Sequence, residues 1–327
     1  MTTLLTGLRL ANPNSVEEAI AACRDRPGSR FVAGGTDLLV NMRHGLSATE
    51  QLIDLSGIDE LTMIATNGGG VTIGAGVTVA ALARSPGIAA QYRALAEAAA
   101  GVAGPGHRNM ATVGGNLCQD TRCIYYNQSE WWRNANSFCL KHRGEICHVA
   151  PQGKRCHAAY SGDLAPALLV LGAAIEIAGP QGRRTIPLSE LYVEDGLAHL
   201  ALAEGELILA IQLPPAPPPS AYTKVRVRGA IDFPLAGVAV ALATADAKVA
   251  SLQIALTGTN SRPFVVAGTQ DFAGRAVDEY LLKEIERLVQ KQAQPMRTTI
   301  ASANYRRVAA AALARRLTAR LFAESAV

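Results

Sequence analysis

Forty-four residues in the middle of the chain, Leu117 to Tyr160, lack the apolar period of a strand or a helix, although both flanks have it. A loop of that length is uncommon inside a compact domain unless something other than an apolar core organises it. Five of the six cysteines fall between residues 118 and 156, with Cys23 elsewhere, and both tryptophans, Trp131 and Trp132, lie in the same stretch.

Around this segment the pattern is regular. "NSVEEAIAACRD" places Ser15 three residues before Glu18 ahead of apolar residues at helical spacing, which predicts a capped helix over about 15–25. "SRFVAGGTDLL" reads as a short strand, a glycine turn and a helix start. "EQLIDLS", "LTMIAT" and "VTIGAG" read as strands, the last two joined by the turn "NGGG". Thr78 is a helix cap, and "IAAQYRALAEAAAGV" a further helix. "LPPAPPPSAY" holds five prolines and is the best linker. Beyond it, "YTKVRVR", "PLAGVAVALAT" and "VASLQIALTG" predict three strands, and two amphipathic helices follow, an α+β order. The expected domains are 1–213, containing the segment 117–160, a linker at 214–220, and 221–327.

A chain of 327 residues can bury two cores without disulfides. The opening "MTTLLTGLRLANPNS" has neither a basic n-region nor a long apolar run, so reduced thiols in the cytoplasm are expected. No apolar run approaches the roughly 20 residues of a membrane span. The net charge of +4 is small and spread out, which argues against a nucleic-acid binder. Between Leu117 and Tyr160, however, six basic residues face three acids, giving +3.

"AGGTDLL" and "ATVGGN" are glycine turns that could cradle a phosphate or simply join a strand to a helix; neither is a GxGxxG fingerprint. Counting from Cys123, the spacing C-x15-C-x7-C-x8-C runs through Cys139, Cys147 and Cys156. Four thiolates suit a 4Fe-4S cluster; zinc and unliganded buried thiols are the alternatives. His142, His148 and His157 are expected to be surface or supporting groups rather than ligands. Trp131, Trp132, Tyr125 and Tyr126 either pack the segment or shield a cluster from water.

In the order "FVAGGTDLL", "TVGGN", "SGDLAPALLVLGA", "ILAIQLP" and "YTKVRVRGAIDFPLAGVAVAL", nearly the whole chain resembles the FAD-binding middle subunits of the xanthine dehydrogenase and carbon monoxide dehydrogenase family. The resemblance implies a two-lobed, vanillyl-alcohol-oxidase-like (PCMH-type) FAD-binding domain and a small carboxy-terminal α+β domain with a three-stranded antiparallel sheet. It implies that Phe31, Val32, Ala33, Gly34, Gly35, Thr36, Asp37 and Leu38 wrap the FAD pyrophosphate. Thr112, Val113, Gly114, Gly115 and Asn116 would form the second loop, and Asp163 would bond a cofactor hydroxyl or adenine, a helix cap being its plainer role. Ile208 and Lys224 match flavin-lining positions. Val102 stands where relatives stack an aromatic ring.

The segment after Leu117 then looks like an insertion. With "TRCIYYNQSEWWR" it resembles the 4-hydroxybenzoyl-CoA reductase branch, in which Cys123, Cys139, Cys147 and Cys156 would hold a 4Fe-4S cluster, leaving out Cys118 in "GGNLC" and Cys23. That resemblance implies an oxidoreductase subunit with no substrate site of its own. Electrons would pass from a ferredoxin through 4Fe-4S and FAD to a small subunit with two 2Fe-2S clusters and a molybdopterin-binding large subunit, in an α2β2γ2 complex. The +3 segment would steer the acidic ferredoxin through Lys141, Arg143, Lys154 and Arg155. An oxidative aldehyde or purine oxidoreductase subunit and a zinc-stabilised binding module are the competing expectations.

Overall fold

The computed structural model describes residues 7–325; the ends of the two expected domains, residues 1–6 and 326–327, lie outside the described residues. The first lobe is a parallel sheet of β1 (Arg9–Ala11), β2 (Arg30–Val32) and β3 (Gln51–Asp54) in the order β1-β3-β2. Parallel neighbours need crossovers, which helices Val16–Asp25 and Leu38–Arg43 supply. Ser15 caps the first of these by accepting from the Glu18 N–H at 3.1 Å, while Glu18 accepts from the Asn14 N–H at 2.8 Å.

The second lobe is an antiparallel sheet in the order β4-β5-β8-β6-β7, built from β4 (Ile64–Asn67), β5 (Gly70–Gly74), β6 (Ala174–Gly179), β7 (Gly182–Pro187) and β8 (Leu207–Leu213). The β4–β5 hairpin turns through Gly68 and Gly69, both at positive φ as a two-residue turn requires. The single helix expected over 88–102 is two, Pro86–Gln91 and Arg93–Gly101, broken at Tyr92. Tyr92 is fully buried and donates its hydroxyl to the Pro214 carbonyl at 2.8 Å.

The carboxy-terminal sheet has four strands rather than the expected three: β9 (Ser220–Val225), β10 (Ala236–Ala245), β11 (Lys248–Thr257) and the two-residue edge strand β12 (Phe264–Val265), in the order β12-β11-β10-β9. Strand alternation divides its faces. Val238, Val240, Ile254 and Leu256 pack under helices Glu279–Gln292 and Ala303–Ser325, whereas Ala239, Ala241 and Ala255 join the core of the second lobe. Small residues on that face let helix Leu164–Val170 settle onto the sheet, so the two units share buried surface. Among the described residues no helix is long and apolar enough to cross a membrane.

Candidate cofactor sites

The two glycine loops lie side by side. A Cβ on Gly34 would stand 1.7 Å from the Met110 carbonyl oxygen, just before the second loop, and Gly35 has φ +67°. The second loop is pinned by Val113 N–H to the Val77 carbonyl at 2.9 Å and by the Thr112 hydroxyl, which accepts from the Gly115 N–H at 3.1 Å. A Cβ on Gly114 would meet the Ala75 side chain at 2.8 Å. Gly34 and Gly114 are thus required by the packing of the two loops, since no side chain would fit at either position. Phe31 and Val32 belong to β2, and Leu38 opens the following helix.

Asp163 does not cap its helix. Asn116 of the second loop does so instead, its Oδ1 accepting from the Leu164 N–H at 3.1 Å. The Asp163 carboxylate accepts from the Tyr222 hydroxyl at 2.6 Å and pairs with Lys224 Nζ at 2.8 Å, both ion-pair side chains being 5% exposed. Burial raises the Asp163 carboxyl above its ordinary range, with Lys224, Tyr222 and Arg226 pulling it back. The Lys224 stem passes 3.9 Å from a Cβ built on Gly101, beside buried Val102. Val102 and Ile208 share one core. Over this corner the Ile231 N–H donates to the Ala103 carbonyl at 3.1 Å, and Met110, Ile231 and Phe233 leave apolar surface exposed. A buried charge pair, tight backbone and an apolar rim fit a dinucleotide carrying a flat aromatic ring. A separate cleft of about 680 Å³, between Gly172 and Pro187 on one side and β11–β12 on the other, has an uncharged lining.

The segment 117–160 has one helix, Glu130–Ala135; elsewhere turns and side chains order it. Cys123, Cys139, Cys147 and Cys156 are all buried and all reduced. Cys123, Cys139 and Cys156 pack in one small core with Leu46, Tyr126 and Ala158. Cys147 belongs with them electrostatically, acting on both Cys123 and Cys156. Burial raises the Cys123 thiol, with the nearby Tyr125 and Tyr126 backbone N–H groups pulling it back, and pushes Cys156 up to about 12, although its Sγ accepts from the Ala158 N–H at 3.4 Å. Such donors favour the thiolate that a metal would require. No group of three or more His, Cys, Asp or Glu side chains among the described residues is drawn together closely enough to hold a metal ion. Cys118 lies against the core of the second lobe and Cys23 within that of the first.

His148 Nε2 meets the Phe138 carbonyl while its ring stacks on Tyr125 with centroids 5.1 Å apart, and His142 lies between Tyr126 and Phe138 with its buried Nε2 unpartnered. Trp132 tilts against Tyr125 at 6.1 Å, whereas Trp131 is 78% exposed and shields nothing.

The positive charge of the insertion is divided between its surface and its interior. The Lys141 side chain is 4% exposed, its ammonium bonded to Asp120 Oδ1 at 2.6 Å and to the Thr121 hydroxyl, and set 4.6 Å over the Tyr126 ring. Arg133 is 1% exposed and donates to the carbonyls of Gln128, His44 and Gly45. Arg143 pairs with Glu130 at the surface and Arg155, partly buried, with Glu194, so Arg143 and Lys154 are the exposed members of the four residues expected to steer.

Asp37 joins the two sites. One carboxylate oxygen accepts from Arg122, the other from the Asp120 N–H at 2.9 Å, and the Arg122 guanidinium also lies 4.8 Å over the Phe233 ring. The insertion is thereby bolted to the first glycine loop and to the loop following β9. Sequence reasoning did not single out Tyr222, Arg133 or Arg306. Arg306 has a signal: it leads the stripe Arg306, Ala310, Leu313, Ala314, Leu317 and Leu321, so the helical period buries it.

Residues 6–216 match the family model described as the FAD binding domain in molybdopterin dehydrogenase, and residues 220–321 the CO dehydrogenase flavoprotein C-terminal domain. The chain is 35% identical over 261 residues to the aldehyde oxidoreductase FAD-binding subunit PaoB of Escherichia coli, covering 77% of this chain and 81% of that one. It is 28% identical to the carbon monoxide dehydrogenase medium chain of Afipia carboxidovorans, covering 93% of each. In the structure of reconstituted CO dehydrogenase from Oligotropha carboxidovorans, one chain superposes with a TM-score of 0.80 at 26% identity, covering 98% of this chain and 99% of that one.

Proposed function

Since the chain belongs to the FAD-binding subunits of the molybdopterin dehydrogenase family, we propose that it is the electron-carrying subunit of an oxidoreductase complex, binding FAD and one 4Fe-4S cluster. The pyrophosphate is assigned to Phe31–Leu38 and Thr112–Asn116, and the flavin to the corner formed by Val102, Ile208, Lys224 and Asp163. Cys123, Cys139, Cys147 and Cys156 are the assigned cluster ligands. The observation that carries this reading is that four reduced, buried cysteines, three of them in one small core, lie in an insertion tied through Asp37 to the first glycine loop.

When bound, FAD passes electrons singly or in pairs and the cluster passes them singly. The chain's own residues hold both groups, exclude water from the cysteines and set the local field. Substrate chemistry is assigned to a molybdopterin-binding large subunit, with a small subunit carrying two 2Fe-2S clusters between them, in a cytoplasmic complex. The similarity to PaoB makes aldehyde oxidation the favoured reaction. Reductive dehydroxylation of 4-hydroxybenzoyl-CoA, driven by ferredoxin in an α2β2γ2 complex, is the second reading. It rests on the cysteine insertion; of the four steering residues Lys141 turns inward, whereas Arg143 and Lys154 stay at the surface.

The purified complex tests both levels. Iron, acid-labile sulfide and FAD in the chain are expected, and zinc without flavin would sink the assignment. Turnover of aldehydes with an electron acceptor, and none of 4-hydroxybenzoyl-CoA with reduced ferredoxin, is the expected outcome; the reverse would install the second reading.

A further inference from the structure

Arg306 lies in the last helix, remote in sequence from the cysteines, yet it reaches their site. It is 0% exposed and donates to the carbonyls of Leu235 at 2.9 Å, Met296 at 2.8 Å and Gly258, and to the Thr298 hydroxyl at 2.9 Å. The Thr298 carbonyl in turn accepts the Ile124 N–H at 2.9 Å, one residue past Cys123. Arg133 is buried in the same way, with carbonyl partners and an unpartnered Nε. Among the described residues neither arginine has a carboxylate within ion-pair distance. Carbonyls satisfy the N–H groups of a guanidinium but do not cancel its charge, and a buried, uncancelled charge is costly. Geometry ties each cation to the surroundings of the cysteines: Arg306 through Thr298 to the residue after Cys123, Lys141 over the Tyr126 ring that packs with them, and Arg133 on the carbonyls next to Leu46 of the same core. Arg306 is in electrostatic reach of Cys123, Lys141 of Cys156, and Arg133 of Cys139, with Glu130 the stronger partner of Arg133.

We infer that Arg133, Lys141 and Arg306 form a shell of buried counter-charge around the four cysteines, built for a net negative group, and that this shell raises the reduction potential of the bound cluster. The inference rests on the cluster reading above. Four thiolates on an iron-sulfur core are net anionic, and reduction adds one more negative charge, so nearby cations stabilise the reduced form. Asp120 tempers Lys141, which makes the two a pair with opposite effects on the potential. All three cations are positioning residues, since their effect runs through the site's field.

The test is a spectroscopic redox titration of the full complex, with iron, sulfide and flavin measured on each sample. In Lys141→Met the reduced-to-oxidised ratio at fixed potential should fall at least tenfold, about 59 mV downward for one electron. Asp120→Asn should move it upward, and Lys141→Arg should change it by less than about threefold, since the charge stays. Arg306→Gln should follow Lys141→Met, and Arg306→Lys the wild type. Should Arg306→Gln fail to accumulate, the Lys141 and Asp120 variants decide. Iron lost from Lys141→Met but kept in Lys141→Arg would support the counter-charge; iron lost from both would overturn it. Iron-replete variants with an unmoved potential overturn the shell while leaving the cluster reading intact. A wild-type chain without iron overturns both.

Discussion

Replacing Lys224 with Met isolates the Asp163 carboxylate at the junction of the flavin domain and the carboxy-terminal sheet. The pair is 2.8 Å apart with each side chain 5% exposed, and the Tyr222 hydroxyl at 2.6 Å and the more distant Arg226 charge are the neighbours that remain. Removing one member of a buried ion pair costs about 3–5 kcal/mol, whereas replacing both is often close to neutral. Lys224→Met should therefore lose about 3–5 kcal/mol in urea unfolding at neutral pH, and Asp163→Asn with Lys224→Met should recover most of it. The pH dependence has a definite sign. The folded-state pKa of Asp163 lies above its unfolded value, so the cost of its charge is absent below the unfolded pKa and grows as pH rises through the folded one. Without Lys224 that folded pKa moves further up, and the variant's deficit should shrink on acidification. A single variant within about 1 kcal/mol of wild type, or a deficit that widens in acid, would refute the buried-pair argument.

Serine at Cys123, Cys139, Cys147 or Cys156 should abolish iron binding with FAD retained, while serine at Cys23 or Cys118 should leave iron unchanged; iron analysis and flavin absorbance decide each case. Gly34→Ala forces a Cβ onto the Met110 carbonyl and should cost about 1–3 kcal/mol with loss of bound FAD, read by flavin content after gel filtration. His199 is buried with Nε2 against the Gln119 carbonyl at 2.9 Å, and burial together with the Lys141 charge lowers its pKa to about 4. A depressed histidine gives stability that is present above its unfolded pKa and lost as pH falls toward its folded one. His199→Gln should accordingly flatten the slope of urea stability between about pH 6.5 and pH 4, a span worth about 3 kcal/mol at most.

Most elements can be read from the chain because their causes are local. The capped helix after Ser15, the glycine-glycine hairpin before β5 and the three long strands of the last sheet follow from period, caps and turn residues within a few positions. The glycines of both loops are equally visible, as are four cysteines too numerous for an unpatterned stretch. Which carboxylate meets which cation is another matter. Asp163 has the sequence position of a helix cap, yet Asn116 takes that role because the second loop folds back onto the helix start. Lys141 and Arg133 count toward a basic segment, yet they turn inward because partners distant in sequence, Asp120 for one and the His44 and Gly45 carbonyls for the other, lie beneath them. Sequence by itself determined the scaffold, its glycine turns and the thiol set, all governed by backbone period and residue chemistry. The direction of the insertion's charge was decided by tertiary structure alone, because a field depends on distances through space, and folding brings Arg306 from the far end of the chain to Thr298, whose carbonyl holds the residue after Cys123.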